Sequence, residues 1–154
     1  MLRPLRLIPS GVQGYHRDTI AASSDAFAYS STMSLHIFRL KDNTLQKMIA
    51  AHERAISAIC WCPEDNNLLA SCSLGMRIAI WDVDAEEERH CMKVPEVPLL
   101  MDWPASGNQI VFATTNGSIM FWDYKANRTA KAFSVPEKSA KVLRSHPRAA
   151  QKLL

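Results

Sequence analysis

Long hydrophobic runs are absent from the sequence, and this absence excludes a membrane-spanning helix. Polar, charged or proline residues interrupt every apolar stretch of the 154 residues, whereas a spanning helix needs roughly 20 consecutive apolar residues. The N-terminal stretch MLRPLRLIPSG carries Arg3 and Arg6 but lacks the continuous apolar segment of a secretory signal. With 47% hydrophobic side chains, the composition is that of a globular domain. We therefore expect a cytoplasmic protein with no membrane span, and the nucleus is the alternative compartment.

Cysteine spacing excludes the common disulfide and metal frameworks. The four cysteines are Cys60, Cys62, Cys72 and Cys91. They follow neither a disulfide-framework spacing nor a paired CxxC spacing. Cys60 and Cys62 would share one face of a strand near His52 or His90, but structural zinc normally uses two close ligand pairs. We expect free thiols, no metal and no cofactor.

Catalytic motifs are also missing. The stretch GVQG has neither the lysine nor the length of a phosphate-binding loop, and there is no GxSxG elbow and no HExxH pair. The carboxylate run from Glu86 to Glu88 is typical of a solvated loop between strands. Since no set of residues supplies a nucleophile, a base and an orienting group, we expect no catalytic residues and no enzyme activity.

Charge is unevenly distributed along the chain. Residues 125 to 154 carry eight Lys or Arg against Glu137 alone, while the first 124 residues carry ten against fourteen acids. The basic segment from Lys125 to Lys152 makes nucleic-acid binding the alternative function. It lacks interleaved aromatic residues and any helix-turn-helix or zinc-finger pattern, so a solvated surface is the preferred interpretation.

A repeat of about 42 residues is the main feature that the sequence does contain. The runs SLHIFRLKD, MRIAIWDVD and SIMFWDYK each lead into an aromatic residue, namely Phe38, Trp81 and Trp122, spaced 43 and 41 residues apart. A second series, at Trp61, Trp103 and Ser145, has a spacing of 42, and a proline follows each member within two residues. Alternation of apolar with polar or small residues is typical of half-buried strands, and proline ends them.

Further apolar runs around these markers predict four antiparallel strands per unit. The predicted strands are 18–23, 26–30, 34–40, 45–50, 55–61, 68–73, 76–82, 88–93, 97–103, 109–114, 118–123 and 129–134. Asn116 and Gly117 form the strongest hairpin signal. The units are 18–50, 52–94 and 95–135, preceded by an N-terminal segment, 1–17, and followed by the basic start of a truncated fourth unit, 136–154.

Four strands in some 42 residues, with a histidine before the first and Trp-Asp ending the third, resemble the WD-repeat β-propeller family. His52, Trp81 and Asp82 carry this motif in the second unit. The resemblance implies an all-β partial propeller with about three four-stranded antiparallel blades and the first strand of a fourth. Because three blades cannot close a ring, we also expect an open fragment of a longer propeller that self-associates.

The resemblance implies structural roles for several residues. In the family a histidine, a Ser or Thr, the tryptophan and a turn aspartate form a buried hydrogen-bonded tetrad. His52, Ser71 and Trp81 match it, whereas Gly75 stands in the aspartate's place and Val94 stands where the third unit would have its histidine. Asp82, Trp122 and Asp123 are the other structural positions. Apolar burial at residues such as Phe38 and Trp103 is expected to hold the first and third units together.

The resemblance also implies a non-enzymatic scaffold for protein–protein interaction within an intracellular assembly. Loops that link successive blades would contact partner proteins or peptides. These loops are HRD at 16–18, HERA at 52–55, PEVP at 95–98 and PEKS at 136–139. The candidate contact residues are Glu53, Arg54 and Glu137.

Overall fold

The computed structural model describes residues 16–135, 140–146 and 149–153, and side chains as far as residue 145. These ranges contain fourteen strands and no helix, so no described segment could cross a membrane as a helix. Twelve of the strands form three four-stranded antiparallel sheets. The all-β prediction is confirmed.

Each sheet consists of four consecutive strands in chain order. The first contains β1 (Ile20–Ala22), β2 (Ala26–Ser31), β3 (Ser34–Arg39) and β4 (Leu45–Ala50). The second contains β5 (Ile56–Trp61), β6 (Leu68–Ser73), β7 (Arg77–Asp82) and β8 (Glu87–Lys93). The third contains β9 (Pro98–Asp102), β10 (Ile110–Thr114), β11 (Ser118–Asp123) and β12 (Arg128–Ser134).

All twelve predicted strands are present, and the largest difference in their bounds is at the start of β1. The prediction began at residue 18, whereas β1 begins at Ile20. Asp18 instead forms a parallel bridge with Ala58 of the second sheet, and its carbonyl accepts the N–H of Ile59 at 2.8 Å. The first strand is shorter because the chain before it pairs with the neighbouring sheet.

Hairpin turns join the strands within each sheet. At the predicted Asn116-Gly117 hairpin only Gly117 has a positive φ, of 80°. Asn116 acts through its side chain, because its Oδ1 accepts the N–H of Ser118 at 3.0 Å and the hydroxyl of Thr114 at 2.7 Å. Asparagine often closes a turn in this way.

Apolar side chains fill the spaces between successive sheets. Leu35, Ile37 and Ile49 of the first sheet pack against Ile56 and Leu69 of the second. A separate cluster joins the second and third sheets, and it contains Ile78, Ile80, Met101, Phe112 and Trp122. Each large side chain stabilises the fold by roughly 1.5 to 3 kcal/mol on burial. The innermost strand β5 contacts both β1 and β9, so the three sheets form a continuous arc.

After the third sheet, the structure differs from the prediction of a single strand over AKVLRS, residues 140–145. Residues 140–144 lie outside any strand, and β13 (Ser145–His146) pairs with β14 (Ala149–Leu153). Side-chain contacts hold this segment against the arc: Arg144 pairs with Asp18 at 2.7 Å and the Ser145 hydroxyl donates to Asp102 at 2.5 Å. These anchors place the segment across the inner strands, so it does not extend as the inner strand of a fourth sheet.

The two ends of the arc are covered differently. Leu143, with 4% of its surface exposed, packs with Leu100, Val111 and Ile119 on the outer face of the third sheet. The outer face of the first sheet lacks such a cover within the described residues, and Ile20 and Met48 are 64% and 60% exposed there. An open arc was expected to expose the flanks of both terminal units. Within the described residues this holds for the first sheet, whereas Leu143 covers part of the third.

Candidate functional site

The second sheet brings His52, Ser71 and Trp81 together. Ser71 on β6 pairs with Ala79, two residues before Trp81 on β7, so Ser71 and Trp81 share one face of the sheet. The Trp81 indole N–H donates to Ser71 Oγ at 2.8 Å, and His52 Nε2 lies 2.7 Å from the same oxygen. The backbone N–H of His52 donates to the Met33 carbonyl at 3.1 Å, which ties the histidine to the preceding sheet.

Burial controls the protonation of His52. Desolvation, assisted by the positive charge of Arg77 and opposed by the negative charge of Glu88, lowers the pKa of His52 to about 4. The imidazole is therefore neutral at physiological pH. Its second nitrogen, Nδ1, is buried and has no hydrogen-bond partner among the described residues.

Gly75 lines the same cleft as His52 and supplies no side-chain acceptor. The resemblance places a turn aspartate at this position, and glycine provides no side chain there. The stem of Arg54 fills part of the space, because a Cβ built at Gly75 would lie 3.3 Å from its Cγ. His52, Ser71 and Trp81 are thus joined by hydrogen bonds, and the fourth residue of the tetrad, the turn aspartate, is absent.

Asp82 lies at the end of β7 and closes the β7–β8 turn. Its Oδ1 accepts the backbone N–H of Ala85 at 2.9 Å and the amide N–H of Asn67 at 2.8 Å. Its Oδ2 accepts from Arg89 Nε at 2.9 Å. The Ala85 N–H, then Arg89, then Asn67 lower the pKa of Asp82 to about 2. This geometry is that of a turn residue held as a carboxylate.

Asp123 and Trp122 occupy the corresponding places in the third sheet. Asp123 accepts the N–H of Ala126 at 2.9 Å, which repeats one of the Asp82 contacts. Trp122 is fully buried, and its indole N–H donates to Asn127 Oδ1 at 3.3 Å. Val94 is buried where the second sheet has His52, so Trp122 obtains its hydrogen bond from a local turn.

Arg54 and Glu53 are exposed beside the buried His52. They line a cleft of about 550 Å³ together with His52, Gly75 and Trp81. Other side chains of the cleft are those of Ser73, Arg77, Glu88 and Lys93. The third predicted contact residue, Glu137, lies outside the described residues.

Several residues of this region were not predicted from the sequence. Arg77 donates to Glu88 and, at 3.2 Å, to the Ala51 carbonyl, and Lys93 lies on the last strand of the same sheet. Their signal is the register of the β7–β8 hairpin, which pairs Arg77 with Lys93. The register would also identify Asn67 and Arg89, because both reach Asp82 only when the neighbouring strands pair.

A second groove, of about 840 Å³, lies between the first and second sheets. Its floor includes Ile37 and Trp61, and both charge signs occur on its rim. Lys47 crosses from the first sheet to Glu86 at 2.8 Å. The mixture of charges gives this groove no preference for one class of ligand.

The cysteine thiols are free, and three of them are shifted towards the protonated form by burial. Burial raises the pKa of Cys72 to about 12 and also raises the pKa of Cys60 and Cys62, so these thiols are protonated. In the part of the chain that the structure describes, no three His, Cys, Asp or Glu side chains are close enough to hold a metal ion.

Comparison with known proteins gives one family profile and several relatives. The profile described as "WD domain, G-beta repeat" matches residues 43–82. The WD repeat-containing protein 26 homolog of Arabidopsis thaliana is 28% identical over 60% of this chain and 17% of its own length. The nuclear distribution protein PAC1 of Candida albicans is 30% identical over 65% of this chain and 21% of its own.

A solved structure shows the same fold. The WD40 domain of Toxoplasma gondii coronin superposes with a TM-score of 0.67 at 17% identity, and the match covers 79% of this chain and 33% of that one. The chain thus spans about a fifth of the length of the relatives described above, or less. Three antiparallel sheets in an open arc are consistent with part of such a propeller.

Proposed function

Because this chain belongs to the WD-repeat β-propeller family, we propose that it is a non-enzymatic scaffold that binds partner proteins or peptides. The binding elements are the loops that link successive blades, and the three sheets are the blades of units 18–50, 52–94 and 95–135. A rigid propeller presents such loops in fixed positions. The general scaffold role follows from the family, while the partner is specific to each member.

One observation carries the proposal: two exposed charged residues directly follow a buried, hydrogen-bonded histidine. We call the group formed by His52, Ser71 and Trp81 the brace. Glu53 and Arg54 follow His52, which is held by Ser71 and by the Met33 carbonyl. A loop whose backbone is anchored in this way loses little backbone freedom on binding. The HERA loop is therefore the strongest contact candidate in the described part of the chain.

The chemically capable groups support a role without catalysis. In our proposal His52, Ser71 and Trp81 brace the second blade, and Asp82, Trp122 and Asp123 hold turns and strands. His52 is neutral and faces Ser71, and Asp82 is engaged by Arg89. Ser71 lies within hydrogen-bond distance of His52, but its side chain is fully buried and His52 Nδ1 has no orienting partner among the described residues. The pair therefore lacks the accessible nucleophile and the third group that catalysis of this type needs.

We propose a cytoplasmic assembly as the setting, with the nucleus as the alternative. The relatives include proteins named for protein transport and for nuclear distribution, and those names describe those proteins. A closer likeness of residues 5 to 103 to WD repeat-containing protein 17 stays a prediction from the sequence.

Nucleic-acid binding by the basic segment has no support from the comparisons. Within the described residues of that segment, Arg144 pairs with Asp18 and Lys125 lies 5.7 Å from the Tyr124 ring centre. Binding to phosphates would weaken steeply as salt is added, so a salt titration separates this alternative from peptide binding.

Affinity capture with charge-reversed chains tests the proposed function. The immobilised chain is exposed to extract of its native source, and bound proteins are identified for wild type, Arg54→Glu and Lys125→Glu. Arg54 and Lys125 are both exposed, but Lys125 lies in the β11–β12 turn, away from the HERA loop. We expect Arg54→Glu alone to reduce specific capture at least about fivefold. Equal capture by the two variants would contradict the assignment of this loop.

A further inference from the structure

The cleft beside the HERA loop contains a buried hydrogen-bonding atom with no partner. His52 is only 9% exposed, and its Nδ1 has no hydrogen-bond partner among the described residues. Buried polar atoms are nearly always paired, because an unpaired one is costly. A ligand that supplies a hydrogen-bonding partner for Nδ1 would therefore suit this cleft.

The hydrogen-bond network identifies Nδ1 as a donor. The Trp81 indole can only donate, so Ser71 Oγ is the acceptor of that bond. The Ser71 hydroxyl has no other acceptor among the described residues, so we assign its hydrogen to His52 Nε2, which lies 2.7 Å away. A neutral imidazole that accepts at Nε2 carries its hydrogen on Nδ1. Nδ1–H requires an acceptor, such as a carboxylate or carbonyl oxygen.

The charges that line the cleft favour an anionic acceptor. Arg77 is paired with Glu88. Arg54 and Lys93 form no ion pair with the other described residues, and the opposing free acid is Glu53 alone. The cleft wall therefore has a net positive charge, and a carboxylate accepts hydrogen bonds from cations and from N–H groups more strongly than a neutral carbonyl does.

Gly75 leaves the space that a ligand would use. Its backbone has no positive φ, so no conformational requirement for glycine appears at this position. The stem of Arg54 lies over it, at 3.3 Å from a built Cβ. The Arg54 side chain is exposed, and its rotation away from Gly75 would open the way to Nδ1.

We propose that this cleft binds a carboxylate presented by a partner peptide, which accepts the Nδ1–H of His52 and faces Arg54 and Lys93. This inference rests on the proposed scaffold function and specifies the chemistry of the partner. The ligand supplies the acceptor that position 75 lacks. Binding would thus complete the hydrogen bonding of His52, Ser71 and Trp81.

Synthetic peptides added to the full chain test this inference by NMR. One peptide has blocked ends and a central aspartate, a second has a free C-terminal carboxylate and no acidic side chain, and controls carry asparagine or lysine. We expect the carboxylate peptides to shift the His52 Nδ1–H and Trp81 indole signals, and to bind at least about tenfold more tightly than either control. The first two peptides distinguish a side-chain source from a chain end. Equal binding of the asparagine or lysine control would overturn the inference.

Substitutions at Gly75 provide the matched control. Gly75→Asp adds a carboxylate to the chain itself, and we expect it to raise the unfolding temperature and to reduce binding of the aspartate peptide at least about tenfold. Gly75→Ala adds bulk without charge and should retain binding. If Gly75→Asp fails to fold, Lys93→Gln is measured instead, with a severalfold loss of affinity expected. Unchanged binding in Gly75→Asp, or in its replacement, would contradict the inference.

The same variants separate this inference from the proposed function. If Gly75→Asp captures the same proteins from extract as wild type, while Arg54→Glu does not, the scaffold function holds and the carboxylate site is wrong. If neither variant changes capture and no peptide binds, both proposals fail for this loop.

Discussion

At the scale of single residues, the hydrogen bonding of the buried His52 is only half complete within the described residues. Gly75, which lines the same cleft, supplies no side-chain acceptor for Nδ1, whereas Nε2 is bonded to Ser71 Oγ, which also accepts the Trp81 N–H. The resemblance to the WD-repeat family implied structural roles for His52, Ser71 and Trp81. It did not reveal the cationic cleft, because Arg77 and Lys93 become neighbours only when β7 and β8 pair.

A substitution at His52 measures the strength of this brace. We expect His52→Ala to reduce the free energy of unfolding at about neutral pH by about 1 to 3 kcal/mol, because Ser71 and Trp81 would lose a buried partner. Glu53→Ala, which changes an exposed neighbour, should have little effect. Chemical denaturation of both variants provides the measurement, and equal stability of His52→Ala and wild type would contradict a bracing role.

The cost of His52→Ala should also depend on pH. In the unfolded chain the histidine binds a proton near the ordinary histidine pKa of 6.5, whereas burial keeps folded His52 neutral down to about 4. The unfolded state therefore holds more protons in this window, and stability falls as the pH falls from about 6.5 to about 4. The charged groups lining the cleft are Glu53, Arg54, Arg77, Glu88 and Lys93. His52→Ala should lack this contribution, so its stability should approach that of wild type at the acid end.

At the scale of elements, the strands were predictable and the details at their ends were not. Alternating apolar residues and the two marker series located all twelve strands of the three sheets, because burial of one face imposes that alternation. The shortened β1 was missed because Asp18 pairs with Ala58, a residue of the next sheet. Local sequence carries no information on such a long-range contact.

The turn after β7 provides a test at this scale. Asp82 makes hydrogen bonds with Ala85, Asn67 and Arg89, whereas Asp123 makes the Ala126 contact alone among the bonds described for its turn. We expect Asp82→Asn to lower the unfolding midpoint more than Asp123→Asn does. Because the pKa of Asp82 is lowered to about 2, its stabilisation is present above about pH 4 and is lost as the pH falls towards 2.

Thermal unfolding of the two variants at neutral and acidic pH checks this expectation. The difference between wild type and Asp82→Asn should be largest at neutral pH. It should shrink between about pH 4 and pH 2, because Asp82 takes up a proton in the unfolded chain before it does so in the folded one. Equal midpoints for Asp82→Asn and Asp123→Asn at neutral pH would show that the additional contacts of Asp82 do not contribute.

At the scale of the whole molecule, the described residues leave one end of the arc partly covered and the other end open. Leu143 covers part of the outer face of the third sheet, a contact that the repeat pattern did not predict because this segment leaves the repeat's strand geometry. The outer face of the first sheet has the stacked rings of Phe27 and Phe38, 5.2 Å apart, and exposed Ile20 and Met48. Propellers normally pack another blade against such a face.

The open face predicts that the isolated chain self-associates. Ile20 and Met48 lie on one row of the first sheet, because Ile20 pairs with Tyr29, Tyr29 with His36, and His36 with Met48. Exposed apolar rows of this kind promote association. Light scattering should therefore show a mass that rises with concentration. The double variant Ile20→Lys, Met48→Lys should reduce the rise by placing charge on the row, whereas Leu74→Lys, at a residue 39% exposed in the second sheet's turn, should not. A wild-type chain that stays monomeric at high concentration, with one sharp unfolding transition, would show that the arc is stable without a neighbour.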